Sequence, residues 1–190
     1  MSSEKTLTDK FTQALTYSVK KHQKQLRKGT DTPYVSHLLA VAGLVLEYGG
    51  DEEEAIAALL HDAPEDQQVP IEEISDLFGS RVAGIVAECS DTFEKPKPPW
   101  RERKEKYIEN IPRTSQSATL VSLADKLHNS RTLLMDYRLV GEDLWDRFNG
   151  KKEGTLWYYR SMVEAFRKIT ANPMLDEFDR VVTELENLSG

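Results

Sequence analysis

Apolar residues recur along most of this chain at intervals of three and four, and almost nowhere in strict alternation. That spacing predicts helices rather than strands. The first, over about residues 7–26, carries Phe11, Leu15, Val19 and His22 and ends in a basic run. After the turn-rich KGTDTP, Ser36 is placed to cap a second helix reaching Tyr48, where Gly49 and Gly50 stop it. Asp51 caps a third, from Glu52 to about Asp62. Pro70 opens a fourth that Gly79 ends, and Ser80 caps a fifth, RVAGIVAEC. Residues 91–100, DTFEKPKPPW, hold three prolines and no periodicity, and read as a loop. Helices over about 100–110 and 116–137 follow, then a short one at GEDLWDRF, and two more near 153–170 and 174–188. No repeat, low-complexity tract or linker interrupts the pattern. The expectation is all-α: one compact domain over residues 1–190, built of about ten helices.

Two helices carry more information. The segment SATLVSLADKLHN (117–129) is apolar nearly all round up to Asp125, as a helix buried in a bundle is. A carboxylate there faces a heavy desolvation cost unless it is paired or bound to a metal. The segment GTLWYYRSMVEAFRKI (154–169) has a stripe of Leu156, Tyr159, Met162, Val163 and Phe166, flanked by Tyr158, Ala165 and Ile169. Trp157 falls off that stripe, on the arc of Arg160, Ser161, Glu164 and Lys168. A large aromatic on a polar arc points to a ligand pocket or an interface.

Composition narrows the classes. With 190 residues, 39% of them apolar and 30% charged, the chain can bury a sizeable core as ordinary globular protein. A net charge of −7 argues against nucleic-acid and membrane-surface binding, which need a basic face. The single Cys89 forms no internal disulfide and no cysteine metal knuckle, which points to a reducing compartment. The polar start MSSEKTLTDKF is no signal peptide, and no apolar run approaches the ~20 residues of a membrane span. The expected setting is the cytoplasm, and a homo-oligomer is compatible with the sequence.

No Walker A, GxGxxG or GxSxG pattern is present. What remains is a His/Asp set, His37, His61, Asp62 and Asp125, with Glu65 and Asp66 close by. His61 and Asp62 would point about 100° apart on a regular helix. Pro64 lacks an amide donor and disfavours helical geometry at Ala63, so the pair is expected in a last turn, projecting into a common cavity. Imidazoles with carboxylates suit a borderline divalent ion such as Mn²⁺, Fe²⁺ or Zn²⁺. Four protein ligands would leave positions open for water or a phosphate oxygen, as a catalytic site requires. Glu65 and Asp66 would then polarise the attacking water. Ordinary readings stand beside each of these: a hydrogen-bonded helix-end pair for His61–Asp62, an exposed acidic turn for Glu65–Asp66, a local ion pair for Asp125–Lys126.

These residues resemble a known family. The H…HD…D set is similar to the signature of the HD superfamily of metal-dependent phosphohydrolases. HDAPED (61–66) resembles the HD-x-x-ED block of the SpoT-type (p)ppGpp hydrolases, LADKLHNSRT (123–132) their LADKLxN-x-R block, and KHQKQLRK…TPYVSH (21–37) their KHxxQxRK…PYxxH opening. The similarity spans about residues 7–135, with 140–190 as a helical extension. No synthetase or regulatory domain follows, so a stand-alone small alarmone hydrolase is expected. The resemblance implies a helical HD domain around a central site in which His37, His61, Asp62 and Asp125 bind one Mn²⁺. It implies that Glu65 and Asp66 activate the water that releases pyrophosphate from the nucleotide 3′ position, giving GDP or GTP. It further implies that Arg27 and Lys28 line the nucleotide site, Arg27 against the base, and that Asn129 and Thr132 meet the nucleoside or its phosphates. Lys126, Lys151, Trp157 and Arg160 are further candidates for substrate contact. An adenine alarmone, NADPH or a nucleoside monophosphate is the alternative ligand, and a silent alarmone-binding module the alternative class.

Overall fold

The computed structural model describes residues 6–91 and 96–190. Among these residues there are ten α-helices and two short 3-10 helices, and the only β pairing is an isolated bridge between Leu26 and Pro33. The α-helices are α1 (Asp9–His22), α2 (Val35–Glu47), α3 (Glu52–Leu60), α4 (Ala63–Gln67) and α5 (Ile71–Phe78). They continue with α6 (Ser80–Cys89), α7 (Trp100–Asn110), α8 (Gln116–Val140), α9 (Lys151–Arg167) and α10 (Pro173–Ser189). The 3-10 turns are Ile111–Arg113 and Gly141–Arg147. None of the described helices is long and apolar enough to cross a membrane.

The chain divides into two compact units. The first comprises the chain up to Ser90 together with Ser115–Ala124; the second comprises Asp91–Thr114 and Asp125–Gly190. In the first unit α3 is the central element. Its AIAALL run is buried at every position, because α1, α2 and α6 all pack on it. A helix that is apolar all round needs neighbours on all sides, and this one has them. Its start is fixed by a reciprocal capping box. The Glu54 amide donates to Asp51 Oδ1 at 3.0 Å, and the Asp51 amide donates to Glu54 Oε2 at 2.8 Å.

In the second unit α9 packs on α7 and α10. Met162, Phe166, Phe178, Val182 and Leu185 are fully buried there. Arg160 joins α9 to α10: Nη1 lies 2.6 Å from Asp179, Nε 3.1 Å from Glu186 and Nη2 3.0 Å from Thr183. The Trp100 ring lodges against α9, where a Cβ on Gly150 would come within 2.6 Å of it. Phe178, fully buried and edge-on to Tyr159, anchors α10. Phe178→Ala is expected to cost about 3–5 kcal/mol, lost packing plus the cavity left behind. Urea unfolding of the variant checks this, and a midpoint within error of the parent contradicts it.

Several boundaries differ from the sequence expectation. α1 ends at His22, four residues early, because the chain turns there to make the Leu26–Pro33 bridge. Ser36 and Ser80 are not caps. Each lies inside its helix, with Tyr34 and Gly79 in the flanking position, and neither helix start has a side-chain cap. Gly79 has φ +94, a backbone that a residue with a Cβ rarely adopts, so the glycine sets the α5–α6 corner. GEDLWDR is 3-10 rather than α. The break after α3 falls at His61–Asp62, and Ala63 is the first residue of α4 rather than being excluded from a helix. Pro64 therefore sits in the first turn of α4, where its missing N–H would have had no intrahelical partner. Within the expected loop 91–100, residues 92–95 lie outside the described residues, and Trp100 already begins α7.

Candidate metal centre

Three of the four expected ligand residues come together in the first unit. His37 lies in the first turn of α2, His61 is the residue that ends α3, and Asp62 caps the start of α4. The helix stops between the last two, so the neighbours His61 and Asp62 escape the 100° divergence of a continuous helix. His37 Nε2 lies 3.5 Å and His61 Nε2 3.1 Å from Asp62 Oδ2, with the imidazole centroids 5.3 Å apart. One ligand atom from each residue lies within 4.8 Å of the others. Both histidines are buried, and the Asp62 side chain keeps 24% of its surface exposed.

The protonation pattern favours a cation. His61 Nδ1 is 2.7 Å from the Ala58 carbonyl, an acceptor only, so Nδ1 carries the proton. The remaining Nε2 then points at a carboxylate oxygen. Two acceptors at 3.1 Å are compatible only if a second proton or a metal ion lies between them. Burial works to raise the Asp62 pKa, but with that second proton on the rings the two imidazoles outweigh it and hold the carboxyl well below its ordinary range. A cation at the same point would act in the same direction. Two imidazole nitrogens and a carboxylate form the mixed donor set that a borderline divalent ion prefers.

Tyr34 is a member of the site that sequence reasoning missed. Its hydroxyl donates to Asp62 Oδ2 at 2.5 Å, and its ring stands edge-on to His37 at 5.5 Å. It is the tyrosine of TPYVSH, a matched position of the PYxxH block, but the resemblance gave it no role. Arg27 is held beside it. The Arg27 amide bonds to the Thr32 carbonyl at 2.8 Å, Gly29 turns the loop with φ +74, and the guanidinium lies 5.6 Å from the Tyr34 ring centroid. Lys28 is exposed on the same loop, and Lys21, further back on α1, pairs with Glu73 at 3.0 Å.

Glu65 and Asp66 lie on α4, the five-residue helix that Asp62 caps. The Asp66 amide bonds to the Asp62 carbonyl at 2.9 Å, and Gln25 Nε2 donates to Asp66 Oδ2 at 2.7 Å. Although Asp66 keeps a solvent-exposed edge, partial burial of its carboxyl raises its pKa, and the Asp62 charge adds to this. The Gln25 hydrogen bond opposes the shift without cancelling it.

The remaining candidates belong to the second unit. Asp125 is 7% exposed; its carboxylate lies 2.5 Å from Lys126 Nζ and also accepts a hydrogen bond from Asn129. Burial works against the Lys126 charge, yet Asp125 leads the interactions that hold the ammonium pKa well above its usual value. Thr132 Oγ1 bonds to the His128 carbonyl at 3.1 Å. Lys151 pairs with Asp146 at 2.9 Å on the surface, and Arg160 is engaged by α10 as described. Trp157 stands edge-on to Trp100 and carries the Arg101 guanidinium 3.3 Å from its ring centroid, so its off-stripe position faces α7 residues.

Comparison with known proteins supplies an independent reading. The HD domain family model matches residues 14–156. Over 136 residues the chain is 43% identical to the guanosine-3′,5′-bis(diphosphate) 3′-pyrophosphohydrolase MESH1 of Xenopus tropicalis, covering 70% of this chain and 73% of that protein. The MESH1 of Homo sapiens is 38% identical over 124 residues, covering 64% and 68%. Among solved structures, a metazoan orthologue of SpoT, described as hydrolysing ppGpp, aligns with a TM-score of 0.79 at 30% identity, over 95% of this chain and 97% of its own.

Proposed function

Because this chain belongs to the HD domain family, we propose that it is a metal-dependent phosphohydrolase that removes the 3′-pyrophosphate of guanosine alarmones, converting ppGpp or pppGpp to GDP or GTP. The observation that carries this reading is the convergence of His37, His61 and Asp62, one ligand atom of each lying within 4.8 Å of the others. His37, His61 and Asp62 hold one divalent ion, Mn²⁺ in our reading, and the sequence motif supplies Asp125 as the fourth ligand. When bound, that ion supplies a Lewis acid for the diphosphate and lowers the pKa of water.

The chain's own residues do the rest. Tyr34 holds Asp62 in its liganding direction through the 2.5 Å hydrogen bond. Glu65 and Asp66 draw the proton from the attacking water. Its oxygen bonds to phosphorus as the bond from that phosphorus to the ribose 3′-oxygen breaks. Pyrophosphate is released, and the 3′-oxygen takes up a proton and stays on GDP or GTP as its hydroxyl. Arg27 and Lys28 bind the nucleotide, with the Arg27 plane presented to the base; Asn129 and Thr132 contact the nucleoside or its phosphates. The ligand is a small nucleotide rather than a polymer, in keeping with the net charge of −7, and the setting is the cytoplasm.

The test is to incubate metal-stripped protein, with and without Mn²⁺, with ppGpp, ppApp and NADPH. Pyrophosphate released from ppGpp only when Mn²⁺ is present is the expected result. Orthophosphate from NADPH alone overturns the assignment.

A further inference from the structure

His22 and Gln25 lie in the KHQKQLRK stretch, and the reaction as described so far gives neither a role. The structure ties both to Asp66. Gln25 Nε2 donates to Asp66 Oδ2 at 2.7 Å, and Gln25 Oε1 accepts from Gln67 Nε2 at 2.5 Å. The amide orientation follows, since a carboxylate needs the NH₂ end and the Gln67 amide needs the oxygen. His22 Nδ1 lies 2.7 Å from that same oxygen, so Nδ1 must carry the proton.

His22 is itself fixed. It is 1% exposed, stacks on Tyr34 at 5.3 Å and 13°, and its Nε2 has no hydrogen-bond partner among the described residues. The backbone locks the same three residues together. The Gln25 amide bonds to the His22 carbonyl at 2.9 Å, and the Tyr34 amide bonds to the Gln25 carbonyl at 2.9 Å. One face of Tyr34 therefore meets the histidine that orients Gln25, while its hydroxyl meets Asp62.

We propose that Gln25 and His22 are positioning residues for hydrolysis: His22 orients the Gln25 amide, and the amide fixes the direction of the Asp66 carboxylate. This rests on the reading of Asp66 as a water-activating group. The chemistry explains why a neutral amide stands here. An arginine or lysine would also hold the carboxylate, but its charge would stabilise the anion and make it a poorer base. Glutamine supplies direction without that charge.

The experiment measures kcat and KM for ppGpp with Mn²⁺, along with thermal midpoint and bound metal. Gln25→Met keeps the length and removes the donor; it is expected to lower kcat about ten- to a hundred-fold, with KM within about twofold and metal content unchanged. His22→Phe is expected to lower kcat in the same direction. His22→Asn, which can offer an N–H near the Nδ1 position, is expected to recover most of it. In an Asp66→Asn background, Gln25→Met is expected to add no further loss, because it acts through Asp66. Full kcat in Gln25→Met, or losses from Gln25→Met and Asp66→Asn that multiply, overturns the proposal. If Gln25→Met does not fold, Gln25→Ala removes the donor without adding a charge and carries the same expectation. Full rate in Asp66→Asn alone would instead remove the premise, so the two failures are distinguishable.

Discussion

Replacing His61 with alanine is expected to lower ppGpp hydrolysis by at least about a thousand-fold, which corresponds to about 4 kcal/mol of transition-state stabilisation. The size follows from what that one side chain joins. Its Nδ1 is anchored on the Ala58 carbonyl, which aims the Nε2 lone pair at the ligand set. Its neighbour Asp62 has its pKa held down chiefly by the His61 and His37 imidazoles against burial. Without His61 the donor set loses a nitrogen and Asp62 loses a stabilising partner, so bound Mn²⁺ is expected to fall along with the rate. Metal content after dialysis and the rate at saturating Mn²⁺ are the measurements. A variant that keeps metal and works within tenfold of the parent would remove His61 from the site.

The Glu65→Gln/Asp66→Asn pair is expected to separate water activation from metal binding. Its rate should fall about a hundred- to ten-thousand-fold, the range of a lost general base, while bound metal stays at the parent level. The pH dependence carries a sign. Partial burial and the Asp62 charge raise the Asp66 pKa, so its basic form is lost earlier as pH falls than for an ordinary aspartate near 4. In metal-stripped protein the Asp66 titration is therefore expected above that range. For stability the sign is opposite to that of a salt-bridged carboxylate. A raised folded-state pKa means ionisation disfavours the fold above the unfolded pKa, so Asp66→Asn should leave neutral-pH stability equal or higher. A stability loss at pH 7 together with an unshifted Asp66 titration, both in metal-stripped protein, would contradict the environment assigned to Asp66.

The helical class and most of the helix positions were legible along the chain, because burial on one face leaves a 3.6-residue imprint; the five-residue α4 was not. The Met162–Val163–Phe166 stripe in α9 is a plain example. The cap at Asp51 was legible too, being local in sequence; its reciprocal partner Glu54 was not. Caps at Ser36 and Ser80 were misread. The sequence shows which residues can cap but not which backbone the neighbours adopt, and Gly79 with φ +94 took the flanking position instead.

The HD-x-x-ED block showed which chemistry to look for, and its order along the chain needs no fold to be recognised. Tertiary structure decided the geometry. The stop between Leu60 and Ala63 turned His61 and Asp62 together, and α2 packed on α3 brought His37 to within 3.5 Å of Asp62. It also revealed Tyr34 and Gln25, which lie 28 and 41 residues from the carboxylates they hold. Contacts across such separations leave no periodic trace in one sequence. A hydrogen bond depends on where two side chains meet, and only the packed chain sets that.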